Sequence, residues 1–187
     1  MAAMSQNAPT VDKPAPGCQP THPSLPVTSP RVRKTSLRGL GPDPVNVGTK
    51  CGQCCWYCST GALLRMHRSF KTAQENPFGS GYAIVDPTTP ERVARDARRL
   101  HQQGPVQLCT TVDAWAPEAQ RFQLGRRCLE AILAEPDWAV RILTKNAAVA
   151  NDFDLIGKHK DRVLVGLSLT APPGKSAVIK AVEPNIS

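Results

Sequence analysis

The stretch "WAVRILTKN", residues 138–146, is an apolar run that ends in polar side chains. This pattern predicts a strand buried in a sheet, and Asn146 is a typical cap for a helix that follows. The same pattern recurs in "PVQLCTTVD" at 105–113 and in "RVLVGLSLT" at 162–170, with helical periods between them. Strands that alternate with helices predict an α/β fold with a parallel sheet and right-handed crossovers, either closed as a barrel or open and doubly wound.

Apolar residues at helical spacing mark the crossovers. Thr89 is the expected cap and Pro90 the first residue of one helix, Pro117 opens a second, and a third follows Asn146. The faces expected to be buried are Val93, Ala97 and Leu100; Leu124, Cys128, Ala131 and Ile132; and Val149, Phe153 and Ile156. The arginines expected to form a solvated face of the first helix are Arg92, Arg95, Arg98 and Arg99.

The amino-terminal part of the chain differs in composition from the rest. Residues 1–44 are crowded with proline and end in a basic run, which predicts a disordered tail. The predicted domain covers 45–187 and begins with a short strand at 45–47, followed after the cysteines by a helix at 61–70 and a loop at 71–87. The net charge of +8 makes nucleic acid a candidate partner.

Cysteine content and hydropathy bear on the cellular location of the chain. Seven cysteines, an odd number, and the lack of a secretory leader pattern favour a reducing cytoplasm. No apolar run approaches the roughly 20 residues that span a bilayer, so no membrane partner is expected.

Polar residues at the ends of the predicted strands are the candidate site. In both α/β architectures, chemistry collects at the carboxyl ends of the strands. The residues at these ends are Thr110, Thr111 and Asp113; Thr144, Lys145 and Asn146; and Ser168 and Thr170. Thr144, Asn146 and Thr170 are equally well explained as turn or cap residues of the next helix.

The stretch "CGQCCWYC", residues 51–58, follows the first predicted strand. Zinc sites built from two Cys-x2-Cys pairs usually separate the pairs by about a dozen residues, whereas Cys51, Cys54, Cys55 and Cys58 leave no spacer. Cys51-x3-Cys55-x2-Cys58 can instead hold three irons of a [4Fe-4S] cluster and leave the fourth open. The alternative is a zinc-binding structural or nucleic-acid-binding module that uses all four cysteines; a dithiol redox protein is a further one.

This spacing, with Tyr57 before the third cysteine, resembles the signature of radical S-adenosylmethionine (radical SAM) enzymes. "TTVDAWAPEAQRFQLGRRCLEAIL", "VRILTKNAAVANDFDLI" and "VLVGLSLT" are similar to the branch related to spore photoproduct lyase, the DNA repair photolyase-like proteins. The resemblance covers roughly residues 45–185. It implies a partial (β/α)6 barrel, of which about four βα units are present, so the chain is expected to be an amino-terminal fragment of the domain.

The resemblance also implies an activity. Cys51, Cys55 and Cys58 would ligate the cluster, and S-adenosylmethionine would bind the open iron. One electron, from a donor such as flavodoxin or ferredoxin, would cleave it to methionine and a 5′-deoxyadenosyl radical that abstracts hydrogen from an unidentified substrate. A lyase acting on a DNA lesion is one such reaction.

Six further residues are implied to bind S-adenosylmethionine. Tyr57 would pack near the adenine, Lys145 would meet a carboxylate or an anionic substrate, and the fourth strand would reach the ribose or carboxylate through Ser168 and Thr170. Thr111 and Asp113 lie where the family often has a glycine-rich motif ending in an acid that receives the amino group. This sequence lacks those glycines. Cys109 and Cys128 are interpreted as small core residues.

Overall fold

The computed structural model describes residues 44–53, 55–60, 84–100, 105–183 and 186. Their elements are β1 Gly48–Lys50, β2 Ile84–Val85, α1 Thr89–Arg99, β3 Pro105–Leu108, α2 Pro117–Gln120, α3 Leu124–Leu133, β4 Ala139–Thr144, a 3-10 helix Ala147–Asp152, α4 Phe153–Lys158, β5 Val163–Leu167 and α5 Ser176–Val182. The strands form a three-stranded sheet and a two-stranded one. The predicted 1–44 tail, 61–70 helix and Cys54 lie outside the described residues, apart from Pro44.

The larger sheet is parallel, with strand order β3-β4-β5. This arrangement confirms the predicted α/β class. The predicted strand at 45–47 is wrong in detail, because only Val45 pairs with the sheet, in a parallel bridge to Leu108. The strand begins later, and β1 pairs antiparallel with β2, so the predicted loop at 71–87 contains a short strand.

One face of the parallel sheet is covered and carries the core. Val106, Leu108, Val140 and Ile142 are buried beneath α1 and α3. Full burial of each such side chain stabilises the folded state by about 1.5–3 kcal/mol relative to leaving it exposed. Trp138 is also buried, and its Nε1 donates to the carbonyl of Ala97 at 3.0 Å.

The opposite face of this sheet is open among the described residues. Gln107, Arg141 and Leu164 are register partners on adjacent strands and share that face. Arg141 and Leu164 are exposed, and Gln107 is half-buried. A parallel sheet is normally covered on both faces. This open face leads to the carboxyl ends of the strands, where the site described below lies.

The start of α1 corrects the predicted cap. The structure makes Thr88 the capping residue and Thr89 the first helical residue, because Asp86 rather than a threonine supplies the local acceptor. Asp86 Oδ1 accepts from the backbone nitrogen and the hydroxyl of Thr88. The other oxygen, Oδ2, pairs with Arg92 at 2.6 Å, so this arginine is not simply solvated, whereas Arg95 is exposed as predicted.

Two further helices differ from prediction. The single helix expected from Pro117 is divided into α2 and α3 by Gln123, whose φ of +53° is left-handed. After β4, the cap at Asn146 is confirmed, since its side chain accepts from Ala148 N at 2.9 Å. Phe153 is nevertheless 54% exposed rather than inward. A 3-10 helix turns every three residues, so the preceding segment shifts the phase of the apolar face.

Helix α5 was not predicted from the sequence. It contains no buried residue and ends beside the cysteine loop, where Trp56 N donates to Val182 O at 2.9 Å. Among the described residues, no helix is both long and apolar enough to cross a membrane.

Candidate functional site

A pocket of about 440 Å³ lies between the cysteine loop and the carboxyl ends of the parallel strands. All three predicted cluster cysteines line it: Cys51, Cys55 and Cys58. So do five of the six residues predicted to bind S-adenosylmethionine: Tyr57, Thr111, Asp113, Lys145 and Ser168. The sixth, Thr170, lies beside the pocket, with its hydroxyl 2.8 Å from Tyr57 Oη. The predicted residues are therefore brought together.

Hydrogen bonds fasten the cysteine loop to the end of β3. Gln53 Nε2 donates to Asp113 Oδ2 at 2.8 Å, and Gly52 N donates to Glu118 Oε1 at 2.6 Å. The hydroxyl of Thr60 donates to the carbonyl of Thr111 at 3.0 Å. Both ends of the cysteine loop are therefore hydrogen-bonded to the segment that follows β3.

Asp113 is the centre of this arrangement and is buried. Its Oδ2 accepts from Gln53 and from Lys145 N, the latter at 2.9 Å, and its Oδ1 accepts from Trp115 N at 2.9 Å. Thr144 Oγ1 lies within 2.8 Å of both oxygens and donates to the carboxylate. Both carboxylate oxygens are thus engaged by groups of the chain itself, and Asp113 joins the cysteine loop to the end of β4.

Thr144 and Asn146 have structural roles at the same strand end. Thr144 Oγ1 accepts from Asn146 N at 3.0 Å while it donates to Asp113. Thr110 contacts Asn46 instead: its backbone nitrogen donates to Asn46 Oδ1 at 2.8 Å, and its hydroxyl accepts from Asn46 Nδ2 at 3.3 Å. These contacts agree with the interpretation of Thr144 and Asn146 as turn and cap residues.

Glu118 was not anticipated from the sequence. Its side chain is buried, and Oε2 has no hydrogen-bond partner among the described residues. Burial raises the pKa of this carboxyl, against the opposing effect of the Gly52 N–H. In the sequence it lies in the helix expected from Pro117, where nothing distinguishes it from a solvated glutamate.

Lys145 lines the pocket and has several partners. Its Nζ is 2.7 Å from Glu183 Oε1, 3.1 Å from Ser168 Oγ and 3.4 Å from Thr170 Oγ1. The ammonium also lies 5.2 Å from the centroid of the Tyr57 ring. Glu183, like Glu118, was missed in the sequence, since nothing in "AVEPNIS" indicates that its carboxylate returns to the end of β4.

The three thiols differ in environment. Burial raises the pKa of the Cys51 thiol above its ordinary range, and the charge of Glu118 adds to this. Burial, followed by the charge of Glu183, raises the pKa of Cys55 to about 12, while Lys145 opposes the shift. Cys58 is exposed. Ligation by a metal requires thiolates, so binding at Cys51 and Cys55 would release protons.

The three thiols of the pocket are soft donors, but among the described residues they do not form a site for a single metal ion. Within the part of the chain that the structure describes, no group of three His, Cys, Asp or Glu side chains converges closely enough to hold one metal ion. The three thiols nevertheless line one pocket. Soft thiolates that each bind a different iron need not meet at a point, and they are the usual ligands of iron–sulfur clusters.

Cys109 and Cys128 are both buried, as expected of core residues. Cys128 lies on α3, away from the pocket, whereas Cys109 lines it and adopts a left-handed φ of +65°. A non-glycine residue in this conformation is under backbone strain.

No model of a known protein family, no curated protein and no solved structure matches this chain.

Proposed function

We propose that this chain is a radical SAM enzyme of the branch related to spore photoproduct lyase, in which Cys51, Cys55 and Cys58 hold a [4Fe-4S] cluster. The observation that carries the proposal is the shared pocket: the three thiols line it together with polar residues from the carboxyl ends of three parallel strands. This is the end of an α/β sheet at which active sites form.

The pocket has the size and lining that the proposal requires. Its volume of about 440 Å³ falls within the 300–1,000 Å³ that is usual for small-molecule sites. Three thiolates satisfy three irons of a cubane and leave the fourth for another ligand. When bound, such a cluster supplies the electron for reductive cleavage of S-adenosylmethionine and thereby the means to abstract hydrogen from a substrate.

The side chains around the thiols would bind and orient the cofactor. Lys145 offers an ammonium group to a carboxylate, and Ser168 and Thr170 add hydroxyl groups beside it. Tyr57 is half exposed at the pocket and presents a flat ring suited to stacking on adenine. In this proposal Asp113 fixes the loop instead of receiving the amino group, because its oxygens are already engaged.

The open face of the sheet supports the barrel part of the proposal. In a barrel, inward-facing residues alternate with outward-facing residues along each strand. β4 shows this alternation: Val140 and Ile142 are buried against helices, while Arg141 and Leu143 are exposed on the other face. The proposed architecture is a partial (β/α)6 barrel whose interior is this face.

Anaerobic reconstitution tests the proposal. The full chain, treated with iron and sulfide, is expected to become brown with equal amounts of both and to show a [4Fe-4S]+ electron paramagnetic resonance signal on reduction. Adding S-adenosylmethionine should shift that signal, because the cofactor would bind the open iron. A reduced cluster whose signal ignores the cofactor would refute the proposal, and one colourless zinc ion would favour the structural module.

Single alanine substitutions test the ligand set. Cys51→Ala, Cys55→Ala and Cys58→Ala should each abolish the cluster, because a cubane with two protein thiolates is not held. Cys54→Ala should retain it. Cys128→Ala is the matched control, since this cysteine is buried on α3 outside the pocket. Loss of iron from the Cys54 variant would overturn the assignment of ligands.

A further inference from the structure

Helix α5 is held to the rest of the structure by its carboxyl end. None of its residues is buried, and Val178 is largely exposed. Just after it, Glu183 is only 2% exposed, and Val182 accepts a hydrogen bond from the backbone of Trp56 in the cysteine loop. A helix without buried apolar side chains gains little from packing. Its position therefore depends on the half-buried Ile179 and Val182 and on the contacts of Glu183.

The Glu183 carboxylate lies beside the pocket, against the lining residue Lys145. Its Oε1 lies 2.7 Å from Lys145 Nζ and accepts a hydrogen bond from Thr170 Oγ1. The same ammonium contacts Ser168, and the same threonine hydroxyl contacts Tyr57. An ammonium and hydroxyl groups around a carboxylate are what a carboxylate ligand from outside would require.

We infer that α5 is a latch: Glu183 occupies the carboxylate site formed by Lys145 and Thr170, with Ser168 against the same ammonium group, and must leave before a ligand carboxylate binds there. The identity of that ligand, S-adenosylmethionine, rests on the proposed function. Two carboxylates this close would repel each other, and Lys145 neutralises only one of them. Release is feasible because the helix has no buried side chain to withdraw from a core.

Ligand binding to Glu183→Gln measures the competition. Calorimetry on the reconstituted full chain would use S-adenosylmethionine and its decarboxylated form, which lacks the competing group. Glu183→Gln should bind S-adenosylmethionine about tenfold more tightly than the wild type, a size typical of coupling between sites. The decarboxylated form should gain much less. Equal affinity of both proteins for S-adenosylmethionine would overturn the latch while leaving the proposed function intact.

The matched control is Glu130→Gln. Glu130 is an exposed carboxylate on α3 that pairs with Arg126, so this change removes the same charge without touching the pocket. Its affinity for both ligands should equal that of the wild type. A tenfold gain in this control as well would attribute the effect to net charge and overturn the latch.

Amide hydrogen exchange provides a readout that needs no cofactor. The Trp56 amide donates to the carbonyl of Val182, so Glu183→Gln should speed its exchange together with that of α5. If neither protein binds either ligand, the proposed function and the ligand of the latch have both failed, and exchange decides only whether Glu183 holds α5. Faster exchange in Glu183→Gln then retains Glu183 as the group that holds α5, and unchanged exchange overturns it.

Discussion

Replacing Asp113 with asparagine should destabilise the fold, because the carboxylate is an acceptor for four donor groups in a buried position. Asparagine keeps one acceptor oxygen. If that oxygen faces Trp115 N and Thr144, the new NH₂ group faces Gln53 Nε2 and Lys145 N, which are both donors. Two buried donors then lose their acceptor.

The size of the loss follows from these contacts. Each buried donor left without an acceptor costs about 1–3 kcal/mol. Gln53 can recover part of its share by rotating its amide so that oxygen meets the new NH₂, but the backbone N–H of Lys145 has no such freedom. We therefore expect Asp113→Asn to lower the free energy of unfolding by about 2–4 kcal/mol. For a chain of this length, that corresponds to roughly 5–15 °C in melting temperature.

The assay is urea or thermal unfolding of the metal-free chain, followed by circular dichroism. Asp161→Asn is the matched control, because Asp161 lies exposed in the turn before β5 and the same change there should stay within about 0.5 kcal/mol of wild type. An Asp113→Asn variant as stable as that control would refute the idea that this carboxylate ties the cysteine loop to the sheet.

Three other sites give specific expectations. A Cβ added at Gly125 would lie 2.8 Å from Trp115 Cε2, so Gly125→Ala should lower the free energy of unfolding in urea by about 1–3 kcal/mol. A Cβ added at Gly157 in α4 meets nothing, so Gly157→Ala should raise that free energy by up to ~1 kcal/mol. Equal effects of the two substitutions would contradict the packing around Gly125. Arg126 holds the pKa of Asp154 at about 2. Because its pKa is lowered in the folded state, the Asp154 carboxylate stabilises the fold at pH values above the ordinary aspartate pKa, and this contribution is lost as the pH falls through about 2. The contribution is small because the pair is exposed. Arg126→Gln should return the midpoint in an NMR titration to about 4, and an unmoved midpoint would argue against the pair.

The regular parts of the fold could be predicted because they depend on local periodicity. The apolar runs that became β3, β4 and β5 carry their own burial pattern, and parallel pairing follows once helices separate them. The cap at Asn146 depends on a side chain and an amide two residues apart. Interactions between residues so close in sequence can be predicted from the sequence alone.

The predictions that were wrong concern segments whose structure depends on an unusual backbone conformation or on a contact distant in sequence. The break at Gln123 depends on a left-handed residue that is not glycine. The exposure of Phe153 depends on a 3-10 segment that changes the helical period. β2 exists because β1 pairs with it across a long stretch of chain, and its two residues have no pattern of their own.

The same distinction applies to the site. Active sites form at the carboxyl ends of parallel strands, and this rule alone predicted that Thr111, Lys145 and Ser168 lie together. All three line one pocket. The rule could not identify Glu118 or Glu183, because a lone glutamate far along the chain carries no signal of the partner it will meet. Their roles depend on tertiary pairing alone.

Asp113 and Lys145 both lie in segments that follow parallel strands, β3 and β4, but their partners differ in how readily they can be replaced. The partners of Asp113 include backbone N–H groups of Trp115 and Lys145, which cannot leave without unfolding the strand ends. The principal partner of Lys145 is Glu183, attached to a helix with no buried residue. A ligand can replace the second kind of partner far more readily than the first. Binding at this pocket should therefore proceed by exchange at Lys145, while Asp113 keeps the cysteine loop in place throughout.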